Sequence, residues 1–70
     1  MIEKQCATEI CELALKAISE LSQSLNISRG RSSEEEYELI KRGVGLSIGK
    51  IQTDLLDVIY AAYPELDDLK

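Results

Sequence analysis

The sequence predicts an all-α protein built as an antiparallel helical hairpin, and three observations support this fold class. Apolar residues recur at helical spacing in two long segments that are separated by a short polar stretch containing a glycine. Proline occurs once in the 70 residues, and no segment alternates apolar and polar residues for the length of a strand. A chain of this length holds one domain, so we treat residues 1–70 as a single helical unit.

The first helix is predicted over about residues 1–25, with the apolar pattern beginning at Ile2. At 100° per residue the apolar side chains of this segment cover an arc of roughly 200°. They are Ile2, Cys6, Ala7, Ile10, Leu13, Ala14, Ala17, Ile18, Leu21 and Leu25, and Cys11 and Leu15 widen the arc. One neighbouring helix needs an apolar stripe of only about 100°, so a single hairpin leaves part of this arc uncovered.

Residues 26–32 are predicted to form the loop, because Asn26 and Gly30 can adopt the left-handed conformation that ends a helix. Two capping boxes could begin the second helix, one pairing Ser33 with Glu36 and the other pairing Ser32 with Glu35. The acidic run at residues 34–36 suits a helix N-terminus, where the helix dipole favours negative charge.

The second helix is predicted over residues 33–63, followed by a short acidic tail over 64–70. Its packing seam repeats at alternating spacings of four and three, through Val44, Ile48, Ile51, Leu55, Val58 and Ala62. Tyr37 and Ile40 extend the seam backward, and Ile59 broadens it. Pro64 ends the helix, because the residue before a proline avoids the helical region. Within the tail, Leu66 and Leu69 are candidates to pack a turn against the helices.

Three glycines in the middle of this segment leave two arrangements open. Either the helix breaks near Gly43–Gly45 and the protein has three helices, or it continues and the glycines allow close packing. Continuity is favoured because the apolar seam keeps its phase across the glycines. In a continuous hairpin Ala14 and Ala17 lie level with Gly43 and Gly45, which predicts a narrow waist where a larger side chain at Gly45 would clash.

Composition and charge set limits on function. The net charge of −5 disfavours general binding to nucleic acid. No signal peptide and no membrane-spanning run are recognised, so we expect a cytoplasmic protein without membrane contact. The chain has no histidine, and Cys6 and Cys11 lie too far apart on one helix for a disulfide or a shared metal ion. We therefore expect reduced thiols and no catalytic residue, metal or cofactor.

Two surfaces are candidates for contacts with other molecules. The second helix is apolar around most of its circumference, which predicts an oligomer or partner interface away from the seam. The residues proposed for it are Leu39, Gly45, Leu46, Gly49, Leu56, Tyr60 and Tyr63. At the loop end, Arg29, Arg31, Lys41 and Arg42 form a small basic group that could contact an anion or a nucleic acid.

The sequence therefore predicts a small non-catalytic protein that acts through protein–protein interaction, as a regulator, adaptor or inhibitor. Its first expected partner is itself, in a homodimer or higher oligomer such as a four-helix bundle, and another protein is the second. The alternative is nucleic-acid or phosphate binding through the basic loop ends of paired hairpins. Architecture alone does not assign a cellular role.

Overall fold

A computed structural model describes residues 2–67, and in this range the chain forms the predicted helical hairpin. Helix α1 spans Lys4–Ser28 and helix α2 spans Glu34–Lys50. A π-helical segment, Ile51–Leu56, continues α2 without a break into helix α3, Asp57–Ala62, and a 3₁₀ turn follows at Pro64–Leu66. No strand occurs in the described range. Of the predicted tail 64–70, Leu69 lies outside the described residues.

Helix α1 ends three residues later than predicted, because Asn26 remains helical. The hydroxyls of Ser24 and Ser28 donate to the carbonyls of Leu21 and Leu25, so both serines are accommodated inside the last turns. Gly30 is the residue that takes a positive φ, of 79°, directly after the C-cap residue. The chain reverses there, as expected for a glycine in the left-handed region.

Helix α2 begins at the capping box formed by Ser33 and Glu36. The Glu36 amide donates to Ser33 Oγ over 3.1 Å, and the Ser33 amide donates to Glu36 Oε1 over 2.9 Å. The competing box does not form, because the Ser32 hydroxyl donates instead to the Ser28 carbonyl of α1. The Ser33 backbone amide, and to a smaller extent the Ser33 side chain, stabilise the charged Glu36 carboxylate and lower its pKa below the usual range.

The second helix is continuous through its glycines, so the three-helix alternative with a break at Gly43–Gly45 is wrong. The irregularity lies further along, in the π segment, where the Asp57 amide donates to the Gln52 carbonyl, five residues back. A π turn takes in one more residue than an α turn. Side chains after it therefore face a different direction from the one that a regular helix would give them.

The π segment moves the second half of the predicted seam by one residue. Leu56 and Ile59 are each 3% exposed and pack in the core, whereas Leu55 and Val58, which were predicted to lie there, are 39% and 62% exposed. Tyr63, rather than Ala62, packs against the same cluster. The observed set of leucine, isoleucine and tyrosine is larger than the predicted leucine, valine and alanine, so the shift buries more apolar surface.

The predicted glycine waist is also wrong. Val44 is the residue that faces α1, at 9% exposure, and its neighbours Gly43 and Gly45 point sideways to either flank. A Cβ atom added at Gly43, Gly45 or Gly49 would meet no atom within 4 Å. Only the α1 half of the predicted waist lies at the helix contact, where Ala14 is 5% exposed.

The two arms make a single layer of helices rather than a closed core. The molecule measures 46 × 20 × 16 Å, and its radius of gyration is 14.7 Å. A compact domain of this length has a radius of gyration of about 11 Å. Six side chains form the buried core: Ala7, Cys11, Ala14, Val44, Leu56 and Ile59. Both broad sides of this layer are open.

Candidate interaction surfaces

Each of the six core residues has its two neighbours in the sequence on opposite broad sides of the hairpin. Adjacent residues of a helix point about 100° apart, so the residues before and after a core position lie on opposite flanks. The residues that follow the core positions are Thr8, Glu12, Leu15, Gly45, Asp57 and Tyr60. We call this flank of both arms the groove side.

A shared cavity shows that the following residues of both arms lie on one side of the molecule. Leu15 of α1 lines an open groove of about 260 Å³ together with residues of the second arm. The other lining residues are Gln52, Leu56, Asp57, Tyr60 and Asp67. The residues that precede the core positions therefore share the opposite broad side.

That opposite side is formed by Cys6, Ile10, Leu13, Gly43, Leu55 and Val58, and we call it the apolar side. Every one of the six is apolar or glycine. Leu13 and Val58 are 67% and 62% exposed, while Cys6 and Ile10 are half-buried at its edge. An aligned set of exposed apolar side chains on two packed helices is typical of a contact surface.

The groove side is chemically different, with carboxylates around an apolar floor. Leu56 is buried beneath Leu15, which is 44% exposed, and Asp57 and Asp67 add negative charge. The Cys11 thiol approaches the Tyr60 hydroxyl at 3.8 Å, below the edge of this groove. Its volume is smaller than the 300–1,000 Å³ of most small-molecule sites.

Contacts between the two ends of the chain fix one end of the groove. The Tyr63 hydroxyl donates to the Ile2 carbonyl over 2.9 Å, and Lys4 Nζ pairs with Glu65 Oε2 at 3.0 Å. Glu65 accepts a backbone hydrogen bond and faces Lys4, and both effects lower the pKa of its carboxyl group. These contacts hold the 3₁₀ turn against the start of α1, which brings Asp67 to the groove.

The seven residues predicted for an interface do not form one surface. Leu39 and Leu46 are 67% and 63% exposed on the outer face of α2, away from α1. Gly45 lies on the groove side, because it is one heptad from Gln52, and Gly49 has open space around it. Leu56, by contrast, is a core residue with 3% exposure, so it offers little surface to a partner, and the interface itself stays a prediction.

Tyr60 and Tyr63 are half-buried against the core cluster instead of lying free for a partner. Their displacement has the same cause as that of Leu56, since Leu56 ends the π segment and both tyrosines follow it. The sequence signal that identifies the apolar side is the residue before each core position. That signal becomes visible only when the core positions themselves are known.

The basic residues at the loop end do not form a positive patch. Arg29 lies over the Tyr37 ring, 5.8 Å from its centroid, and donates to the Tyr37 hydroxyl over 3.2 Å, an interaction that raises the pKa of Arg29. Arg31, Lys41 and Arg42 are exposed. Four glutamates share this end, Glu34, Glu35, Glu36 and Glu38, and they balance the four basic side chains. Anion binding here stays a prediction that no contact favours.

Both cysteines are free thiols, Cys11 buried and Cys6 half-buried. Among residues 2–67 there is no cluster of three or more histidine, cysteine or acidic side chains that could hold a metal ion. Within the same part of the chain, no helix is long and apolar enough to cross a membrane.

Comparisons with known proteins find no matching family model, no matching curated protein and no matching solved structure.

Proposed function

We propose that this protein is a small, non-catalytic interaction protein that works as a homo-oligomer, in the role of a regulator, adaptor or inhibitor. The observation that carries the proposal is the accessible surface of the single chain, 5261 Å². A compact monomer of 7.8 kDa exposes about 4400 Å². The excess is roughly 900 Å², close to the 800 Å² or so that each partner buries in a standard protein–protein interface.

The chemistry of this surface supports the same proposal. Eight large apolar side chains are at least 38% exposed, which is more than the number of residues in the core. They are Leu13, Leu15, Ile27, Leu39, Ile40, Leu46, Leu55 and Val58. A domain is normally built from at least two packed layers, and a second copy would supply the layer that this hairpin lacks. A different protein in the cytoplasm is the second proposed partner. It would either bind the homo-oligomer or compete with the second copy for the same surface.

Sedimentation equilibrium at micromolar concentration tests the proposal, with circular dichroism at the same concentration to establish that the chain is helical. We expect a mass of at least twice 7.8 kDa. Dilution should then lower the mass and reduce helicity with it, because the small core leaves a dissociated hairpin only marginally stable. A helical species with the mass of one chain, unchanged on dilution, would refute the proposal.

A further inference from the structure

We infer that two copies of this chain pair through the apolar side, so that the hairpins stack as two layers of a four-helix bundle. This inference rests on the proposed homo-oligomer and adds which surface forms it. Three surfaces compete for that role: the apolar side, the groove side, and the outer face of α2 with Leu39 and Leu46.

Size favours a broad side of the hairpin over the outer face of α2. A side that measures 46 by 20 Å has a projected area of about 900 Å², which matches the excess surface of the chain and a standard interface. Leu39 and Leu46 lie on a single helix, seven residues apart, with the charged Arg42 between them. That strip is half as wide as a broad side and cannot bury the same area.

The two broad sides of the hairpin differ in charge. A twofold axis brings the same surface of both copies together, so each carboxylate meets the carboxylates of the other copy. The groove side carries Glu12, Asp57 and Asp67 on each copy of a chain whose net charge is −5. Like charges in a shared, dehydrated site repel, and this cost disfavours pairing through the groove side. The six positions that define the apolar side carry no charge. Glu36 and Lys50, seven residues either side of Gly43 on the same flank of α2, are opposite in sign and add no net charge to this side.

The shape of the apolar side allows a second layer to pack on it; Gly45 is equally open on the groove side, so charge is what distinguishes the two sides. A Cβ at Gly43 would meet nothing within 4 Å, so the backbone of α2 is accessible there. Ser47 follows Gly43 by one turn on the same flank, and Ala17 follows Ile10 by two turns on α1. Small residues on both arms allow the helices of a second layer to approach closely, with Leu13 and Val58 of each copy packing beside them.

Two matched glycine variants test this inference. Gly43→Glu and Gly45→Glu add the same charge, give the same gain in helix propensity and place a Cβ with no atom of the chain within 4 Å. They differ in the side on which the new carboxylate lies. We expect Gly43→Glu to raise the dimer dissociation constant about a hundredfold or more, because it buries an unpaired charge, and Gly45→Glu to leave it within about threefold of wild type. Leu46→Glu, on the outer face of α2, should behave like Gly45→Glu.

Thiol reactivity gives a second measurement that keeps the dimer intact. In a background with Cys6→Ser and Cys11→Ser, Leu13→Cys and Leu46→Cys each place one thiol at a site that is more than 60% exposed in the single chain. Pairing through the apolar side should slow maleimide labelling of Leu13→Cys as protein concentration rises. Labelling of Leu46→Cys should not depend on concentration.

The outcomes separate this inference from the proposed function. A monomeric wild type would defeat both. An oligomeric wild type that Gly45→Glu or Leu46→Glu dissociates, while Gly43→Glu does not, would overturn the apolar side and leave the homo-oligomer standing. Concentration-independent labelling of Leu13→Cys in an oligomeric sample would overturn it equally.

Discussion

The π segment makes a prediction that sequence periodicity contradicts: Leu56, rather than Leu55, holds the two arms of the hairpin together. Leu56 is 3% exposed and packs with Ala7, Cys11 and Ala14, whereas Leu55 is 39% exposed. A regular α-helix from Val44 onward would reverse these roles. Truncating each leucine to alanine therefore measures the register of the second arm.

The loss of stability expected for each truncation depends on how much of the leucine side chain is buried. Replacing a buried leucine with alanine costs about 2–5 kcal/mol, because transfer free energy is lost and a cavity is left. A 70-residue protein has about 3.5–10 kcal/mol of stability in total. Leu56→Ala should thus remove a large share of the free energy of unfolding and lower the melting temperature by about 10–30 °C. Leu55→Ala should cost at most about 1.5 kcal/mol within the hairpin, since part of its surface is already in water.

Urea unfolding followed by circular dichroism provides the assay. The two variants are compared at equal concentration, in the wild-type chain and with Gly43→Glu, where the proposed pairing no longer covers Leu55. Ile59→Ala and Val58→Ala repeat the comparison one turn later, where the exposed fractions are 3% and 62%. Leu55→Ala and Val58→Ala are compared with Leu56→Ala and Ile59→Ala, respectively, in the Gly43→Glu chain. If the first two variants are the more destabilising, the helix is regular and the π register is incorrect.

Three further predictions concern local contacts. Gly45→Ala should raise stability by about 0.5–1 kcal/mol in thermal unfolding, because alanine is the better helix former and nothing lies within 4 Å of the new Cβ; a loss of stability would indicate a covered site. The Glu36 carboxylate has a folded-state pKa below its usual 4.5, so its contribution to stability is present above that value and is lost as pH falls through the folded pKa. The Ser33 amide resonance should follow this titration, and a midpoint at or above 4.5 would contradict it. Tyr63→Phe removes the hydrogen bond to the Ile2 carbonyl and should cost about 0.5–1.5 kcal/mol, with faster amide exchange at the start of α1; unchanged exchange there would show that the contact does not hold the chain ends together.

Features set by residues close together in sequence were predictable. The capping box needs only Ser33, Glu36 and the turn between them, and Gly30 lies where a left-handed residue is required. The hairpin follows from two apolar segments with a polar link. The end of α1 was misplaced because serine hydroxyls can bond to carbonyls one turn back, which extends a helix through residues that otherwise favour its end.

The register after Lys50 was not predictable from periodicity, since both candidate stripes are apolar. Leu55 with Val58 and Leu56 with Ile59 have the same spacing, and the phase of a regular helix favours the first pair. The decision depends on how well each stripe packs against α1, which is a tertiary contact between residues far apart in the chain. This register buries Leu56 and half-buries Tyr60 and Tyr63, three of the residues predicted for an interface.

The additional residue in the π turn connects the fold to the proposed assembly. Val44 and Ile48, upstream of the π segment, and Ile51, its first residue, face or flank α1, and a regular helix would continue this stripe into Leu55 and Val58. The π turn instead rotates Leu56 and Ile59 into the core and leaves the continuing stripe on the apolar side, level with the exposed Leu13 stripe of α1. One helix thereby presents two apolar stripes in two directions, and a lone hairpin can cover only one of them.

Removing the extra residue of the π turn should leave the stripe that packs against α1 in place. Deletion of the exposed Thr53 lets a regular α-helix keep Leu56 and Ile59 in the core, so we expect the hairpin contacts to persist and only local helix geometry to change. Deletion of the exposed Ser19 in α1, which has no irregular turn to absorb it, should instead rotate half of that helix out of register and unfold the protein. Equal stability losses in the two deletion variants would argue against a π segment in the second arm.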